Sequence, residues 1–206
     1  PSEVPEGSDG RKDEIVVSGK RFAIREPTFY DRLTNLDRGA QVVLPKDASY
    51  IVARTGIDSQ SVVVDAGGGS GWLSCFLGHI AKKVYCCEIN GKNIRIFCPH
   101  VLINRDIEVF KHDITKGSPE ADVATIDIPN PWDALEALYD SVKAYIVTYS
   151  PSITQSQKTV IKAEELGLFV EETLDIGLCR WEVNSVRCRP VKDEIGPTGF
   201  ITFMRR

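Results

Sequence analysis

Val62-Val63-Val64-Asp65-Ala66-Gly67-Gly68-Gly69-Ser70-Gly71 runs from three β-branched residues through an acid into a glycine-rich turn. A short apolar run closed in this way predicts a buried strand over Val62–Ala66, and the residues from Gly71 to Ala81 predict the helix that follows it. Glycines at a strand-to-helix turn let a ligand lie directly against backbone. The spacing narrows the ligand. A dinucleotide loop of the form G-x-G-x-x-G would need glycine at 67, 69 and 72, and position 72 is Trp. No G-x-x-x-x-G-K-[ST] occurs in the chain, so a nucleoside triphosphate loop is not indicated.

On either side of this stretch, strands and helices alternate. Pro45 to Arg54 reads as a helix with proline in its first turn, where a missing N–H does no harm. Lys83 to Ile89 is a second strand, and Asn90 is placed to cap a helix to Ile103. Further strands are expected at Ile107–Phe110, Val123–Ile128, Ala144–Tyr149, Phe169–Leu178 and Phe200–Met204, with helices at Trp132–Val142 and Thr154–Leu166. This rhythm predicts an α/β fold: a seven-stranded, mostly parallel, doubly wound sheet with helices on both faces and its ligand at the carboxyl ends of the strands. Ahead of it, Ile15–Val17, a turn at Ser18-Gly19-Lys20 and Arg21–Ile24 read as a short β remnant in the segment to Phe29, and residues 1–14 as an exposed polar arm. Residues 1–37 are therefore taken as an N-terminal arm and partial β module, and 38–206 as the main domain.

At 206 residues, 42% hydrophobic and 26% charged, the chain has the composition of a globular domain with a real core. No apolar run approaches the roughly 20 residues of a membrane span, and the polar, acidic N-terminus does not read as a secretory signal, so the expected compartment is the cytoplasm. The net charge of −4 gives no overall attraction for a phosphate backbone, which leaves RNA to a local basic patch. Six cysteines without a C-x-x-C pair read as reduced, mostly buried thiols, and none of the three histidines has metal-ligand spacing. No metal is expected.

Two further acids follow the glycine loop. Glu88 ends the second strand, where a carboxylate can accept both hydroxyls of a ribose, and Asp113 follows the third, placed to accept an adenine amino group. Taken singly, each is more often a solvated loop residue or a helix cap. Together with Asp65, on successive strands beside such a loop, they point to a nucleoside-type cofactor.

The D-x-G-x-G-x-G form of Asp65 to Gly71 resembles motif I of the class I S-adenosylmethionine-dependent methyltransferases. After the fourth strand, Asp127-Ile128-Pro129-Asn130-Pro131-Trp132 is similar to the D-[LI]-P-x-P-W signature of the tRNA (adenine-N1)-methyltransferase family, the TrmI-like enzymes. Similar to that family as well are Arg38 to Asp47 (R-G-A-Q-V-V-L-P-K-D), Tyr149-Ser150-Pro151 with Gln155 and Gln157, Arg189-Pro190, and Thr198 to Arg206. Pro5-Glu6-Gly7-Ser8 resembles the close of the family's N-terminal β domain, most of which is expected to be missing from this chain, and Val191 to Pro197 departs from the family pattern.

The resemblance implies a Rossmann-like class I methyltransferase that uses S-adenosyl-L-methionine to methylate adenine N1 in the T loop of tRNA, at position 58 and in some relatives also 57. It implies cofactor contacts from Gln41, Gly67, Gly69, Ser70, Gly71, Trp72, Leu73, Glu88, Asp113 and Asp127, with Asp127 as the catalytic residue, and a homotetramer. Asp127 would accept a hydrogen bond from the exocyclic amine and offset the charge that forms on the ring; an Asp capping the turn before Pro129 is the plainer account. Trp132 either shapes the pocket, stacks on a base or anchors the next helix. Lys20, Arg21, Arg25, Arg32, Arg38, Arg187, Arg189, Arg205 and Arg206 are the candidate phosphate contacts. Two other readings stand beside this one: a small-molecule methyltransferase like those of corrin precursors, which would lack the Pro-x-Pro-Trp, and a non-catalytic RNA-binding subunit, which would lose motif I or Asp127.

Overall fold

The computed structural model describes residues 13–37, 41–95, 106–192 and 195–206. The chain divides into two units, Pro1–Asn35 and Leu36–Arg206. In the first, β1 (Asp13–Val17) and β2 (Lys20–Ile24) form an antiparallel hairpin. Ser18 and Gly19 both take positive φ, 50° and 78°, as a tight hairpin turn requires. Next comes α1 (Phe29–Thr34), which was not foreseen. Its start is written in a capping box: Thr28 accepts from the Asp31 backbone N–H while Asp31 accepts from that of Thr28. The expected polar arm lies largely outside the described residues, as do Pro5 to Ser8, Arg38, Cys98, His100 and the end of the helix expected to reach Ile103.

The second unit is built on one seven-stranded sheet. Its strands are β3 (Val62–Ala66), β4 (Lys83–Glu88), β5 (Ile107–Lys111), β6 (Ala121–Ile126), β7 (Val142–Ser150), β8 (Phe169–Asp175) and β11 (Phe200–Arg205). The order is β5-β4-β3-β6-β7-β11-β8. Strands β5 to β7 pair in parallel, whereas β11 runs antiparallel to both of its neighbours. The chain winds outward from β3 through β4 to β5, then returns to the other side of β3 as β6. The topological switch point therefore falls at the carboxyl end of β3, where the glycine loop begins.

Helices α2 (Pro45–Thr55), α3 (Trp72–Gly78), α4 (residues 91–95), α5 (Leu135–Tyr139) and α6 (Ile153–Glu165) connect the strands. Alternation along β11 shows how the two faces are covered. Met204 belongs to a core cluster with Leu135 and Leu138 of α5 and Ala163 of α6, whereas Phe203 meets Tyr50 of α2 edge to face at 5.9 Å. Several expected boundaries shift for local reasons. Helix α3 stops at Gly78, three residues early, because the chain must turn back into β4. The expected Trp132–Val142 helix is a 3-10 turn at Pro131–Ala134 followed by α5, and Val142 already opens β7. The strand expected to reach Leu178 ends at Asp175, and β9 (Trp181–Val183) with β10 (Cys188–Pro190) forms a separate hairpin that was not foreseen. Three described cysteines are buried, but Cys179 and Cys188, on this exposed excursion, are not.

Because β11 is inserted between β7 and β8, its side chains tie the sheet's far half together. Phe203 is fully buried there. Phe203→Ala is expected to cost about 3–5 kcal/mol, read as a fall in the urea midpoint with an unchanged slope.

Candidate functional site

The ends of β3, β4 and β6 are fastened to one another by backbone hydrogen bonds. Gly67 N–H donates to Cys87 O at 2.8 Å and Asp127 N–H to Ala66 O at 2.8 Å. A Cβ on Gly67, whose φ is +86°, would fall 2.0 Å from the Asp127 carbonyl oxygen, so glycine is required there on both counts. This brings the glycine loop and the Asp-Ile-Pro-Asn-Pro-Trp segment into contact.

Two adjoining lobes of a cavity open at this junction. A narrow one is lined by Gln41, Val42, Val43, Asp65, Gly67, Gly68, Gly69, Ser70, Trp72, Leu73 and Asp127. A wider one, about 260 Å³, is lined by Gln41, Gly67, Gly69, Glu88, Asn93, Asp127, Tyr149 and Pro151. Gln41, Gly67, Gly69 and Asp127 border both. Of the predicted contacts, Gly71 stands one step back as the residue that opens α3 with φ 85°. Asp113 is not among the lining residues; its carboxylate caps the 3-10 turn Ile114–Lys116, accepting from Thr115 N–H at 3.0 Å and Oγ1 at 2.8 Å, and these bonds hold it below the usual carboxylate range. Tyr149 and Asn93, by contrast, line the cavity without having been singled out. Tyr149 was visible only as part of a motif at a strand end, and Asn93 sits on α4, five residues after Glu88.

Acidity dominates the site. Asp65 is buried and held by Thr125 Oγ1 at 2.9 Å and by the Ser74 hydroxyl. Burial still pushes its carboxyl above the usual range, against those two bonds and with some help from Glu88. Burial pushes Asp127 up to about 7, and the neighbouring Asp65 and Glu88 add to the shift. Glu88 accepts Gly69 N–H at 2.9 Å and Asn93 Nδ2 at 3.2 Å on one oxygen, and Asn90 N–H at 2.7 Å on the other. A carboxylate has about four acceptor positions, so among the described residues Glu88 has three filled and keeps one for a ligand. No lysine or arginine lines either lobe among the described residues. The donor set suits a cation with a ribose rather than a phosphate. No group of three or more His, Cys, Asp or Glu able to hold a metal occurs among the described residues.

Residues 26–195 match the model of the tRNA methyltransferase complex GCD14 subunit family. The chain belongs to that family. A relative from Methanocaldococcus jannaschii, named tRNA (adenine(57)-N(1)/adenine(58)-N(1))-methyltransferase TrmI, is 30% identical, the match covering 91% of this chain and 79% of the relative. Among solved structures, a SAM-dependent O-methyltransferase from Thermotoga maritima superposes with TM-score 0.87 at 23% identity, over 95% of this chain and 77% of that one. The tRNA (m1A58) methyltransferase TrmI from Aquifex aeolicus follows with TM-score 0.83 at 20% identity, over 94% and 89%. At these identities the two structures establish the fold, a Rossmann-like methyltransferase sheet.

Around the GCD14-family cavity, the loop after Asp127 is braced from α6. Gln155 Nε2 donates to Pro129 O at 2.9 Å, and Lys158 Nζ lies 5.0 Å from the ring centroid of half-buried Trp132. Trp132 does not line the cavity, and Lys158 already covers its ring. The candidate phosphate contacts at the C-terminal end all carry surface ion pairs: Arg187 and Arg189 with Glu182, Arg205 with Glu171, and Arg206 with Asp140.

Asp127 sets a pH dependence. Between about pH 4 and 7 the native chain keeps a proton there that the unfolded chain releases. The stability this contributes is complete below that window and is lost as pH rises through it, by at most about 4 kcal/mol. Asp127→Asn has no such proton to lose. In urea titrations its stability relative to the parent chain is expected to rise between pH 5 and pH 8.

Proposed function

We propose that the unit from residue 38 to 206 transfers the methyl group of S-adenosyl-L-methionine to N1 of an adenine in the T loop of tRNA, at position 58. One observation carries this reading: Asp127 borders both lobes, which puts one acidic residue between a ligand on the glycine loop and a base entering beside Tyr149. The family supports the acceptor. When bound, S-adenosyl-L-methionine supplies an electrophilic methyl group on a cationic sulfur.

The chain's own residues do the rest. Glu88, with its open acceptor position, holds the ribose hydroxyls, while Gly67, Gly69 and Ser70 let the ligand approach the backbone and Trp72 and Leu73 close the narrow lobe. Asp127 accepts an N–H from the adenine amino group, which turns N1 toward the methyl donor and offsets the charge that the ring acquires. Adenine N1 has a free lone pair at neutral pH, so no general base is needed. A cation in the site favours the ionised form of Asp127, which is the form that accepts. The buried cysteines take no part as nucleophiles, since burial lifts the thiols of Cys75 to about 12 and Cys87 to about 11. The reading includes a cytoplasmic location and a homotetramer that brings basic residues of several copies to one RNA.

The test is methyl transfer from labelled S-adenosyl-L-methionine to unmodified tRNA transcript, with nucleoside analysis and mapping of the product. N1-methyladenosine at position 58 is expected, with a rate loss of about a hundredfold or more in Asp127→Ala. Modification at 57 as well would widen the site. Cofactor binding without methylated tRNA would favour a small-molecule acceptor, and no cofactor binding would favour a non-catalytic subunit. Glu88→Gln, which trades an acceptor oxygen for a donor, is expected to raise the Kd for the cofactor about tenfold or more by calorimetry.

A further inference from the structure

Behind the wall that Tyr149 and Gln41 give the wider lobe lies a hydrogen-bonded network built around a buried ion pair. Lys46 Nζ donates to both carboxylate oxygens of Asp47 at 2.8 and 2.9 Å, to Ile176 O at 2.8 Å and to Thr198 Oγ1 at 2.9 Å. Thr198 Oγ1 donates to Asp47 Oδ2 at 2.9 Å and accepts from the Tyr149 hydroxyl at 2.9 Å. The Thr198 carbonyl accepts Gln41 Nε2 at 3.0 Å. Asp47 is fully buried and the Lys46 side chain is only 6% exposed.

A hydroxyl has one proton and two lone pairs. Thr198 gives its proton to a buried carboxylate and fills its lone pairs from Lys46 and Tyr149, so it cannot donate to Tyr149 in return. The Tyr149 proton is thereby committed to Thr198, which leaves the phenol oxygen of this lining residue as an acceptor. The ring is fixed as well: a Cβ on Gly199 would come 2.5 Å from its Cζ, so the backbone beside Thr198 lies flush against it.

We propose that Thr198, anchored by the Lys46–Asp47 pair, is a positioning residue that makes Tyr149 a hydrogen-bond acceptor beside Asp127 and so selects a base with an exocyclic amine. This rests on reading the cavity as an adenine-methylating site. An amine offers two N–H groups to the two acceptors. A 6-oxo purine would set its oxygen against both, and is rejected by leaving them unpaired.

Thr198→Val removes the hydroxyl at matched shape, Thr198→Ser keeps it, and Tyr149→Phe removes the partner. The first readout needs no substrate: the Cζ chemical shift of Tyr149 in tyrosine-labelled protein, assigned by its loss in Tyr149→Phe. It is expected to move in Thr198→Val and to return in Thr198→Ser. The second is methyl transfer to tRNA. Thr198→Val is expected to lower kcat about tenfold with KM for tRNA within about twofold, Thr198→Ser to stay near the parent rate, and Thr198→Val to add no further loss in a Tyr149→Phe background. An unmoved shift, or losses that simply multiply in the double variant, would overturn the proposal. A parent chain that binds cofactor and leaves tRNA unmethylated would overturn the adenine reading and the selectivity drawn from it, while a moved shift would still uphold the proton assignment.

Discussion

A side chain at position 67 would collide with the carbonyl of Asp127, so β3 and β6 can end side by side only with glycine there. This close approach makes the site. It sets the loop that opens α3 against the loop that carries Asp127, and thereby fixes how far a ligand on one stands from a group on the other. The hydrogen bonds from Gly67 to Cys87 and from Asp127 to Ala66 extend the ladder one residue past each strand, holding both loops to sheet geometry. A loop with fewer backbone anchors would be free to settle elsewhere, and the precision that methyl transfer demands would be lost.

The same junction gathers negative charge. Asp65 and Asp127 are pushed toward their neutral forms by burial and by the other carboxylates, and no lysine or arginine lines the cavity among the described residues to relieve them. Elsewhere in the molecule buried charge is treated differently: Asp47 has Lys46 against it and Thr198 to complete its bonds. The contrast separates two uses of a buried carboxylate. One is satisfied by the protein alone and works as a brace; the other is left short of a cation and is completed by what binds. A site with unmet negative potential costs stability in the free chain and returns it as affinity for a positively charged ligand.

The alternation of strands and helices and the glycine loop were legible because their signals are local. Val62 to Gly71 carries both a strand and its turn, and each later strand is a short apolar run with its own boundaries. What the sequence reading missed was either marked by polar residues or made by long-range contact. Helix α1 depends on Thr28 and Asp31 capping each other rather than on an apolar stripe, and the β9–β10 hairpin is exposed, so alternation has no buried face to record. Asp113 satisfied every positional expectation and still spends its carboxylate on Thr115, since a strand-end acid and a helix cap look alike in one dimension. The Tyr149–Thr198 bond spans 49 residues, and nothing in either neighbourhood announces it.

The acidic total is no obstacle to an RNA substrate, because the charges that matter are differently held. Arg187, Arg189, Arg205 and Arg206 are each about half-exposed, and their carboxylate partners lie at 3.2–3.4 Å. Surface pairs of this kind contribute about 0–1 kcal/mol, so exchanging a carboxylate for a phosphate oxygen costs little and leaves the guanidinium free to take the bidentate geometry it offers. The acids of the cavity have no such freedom, since strand ends and burial fix them in place. Charges of the two signs thus differ in mobility as much as in place: arginines on the surface can turn toward a backbone, while the carboxylates that a phosphate would meet unfavourably stay recessed at the ends of β3, β4 and β6.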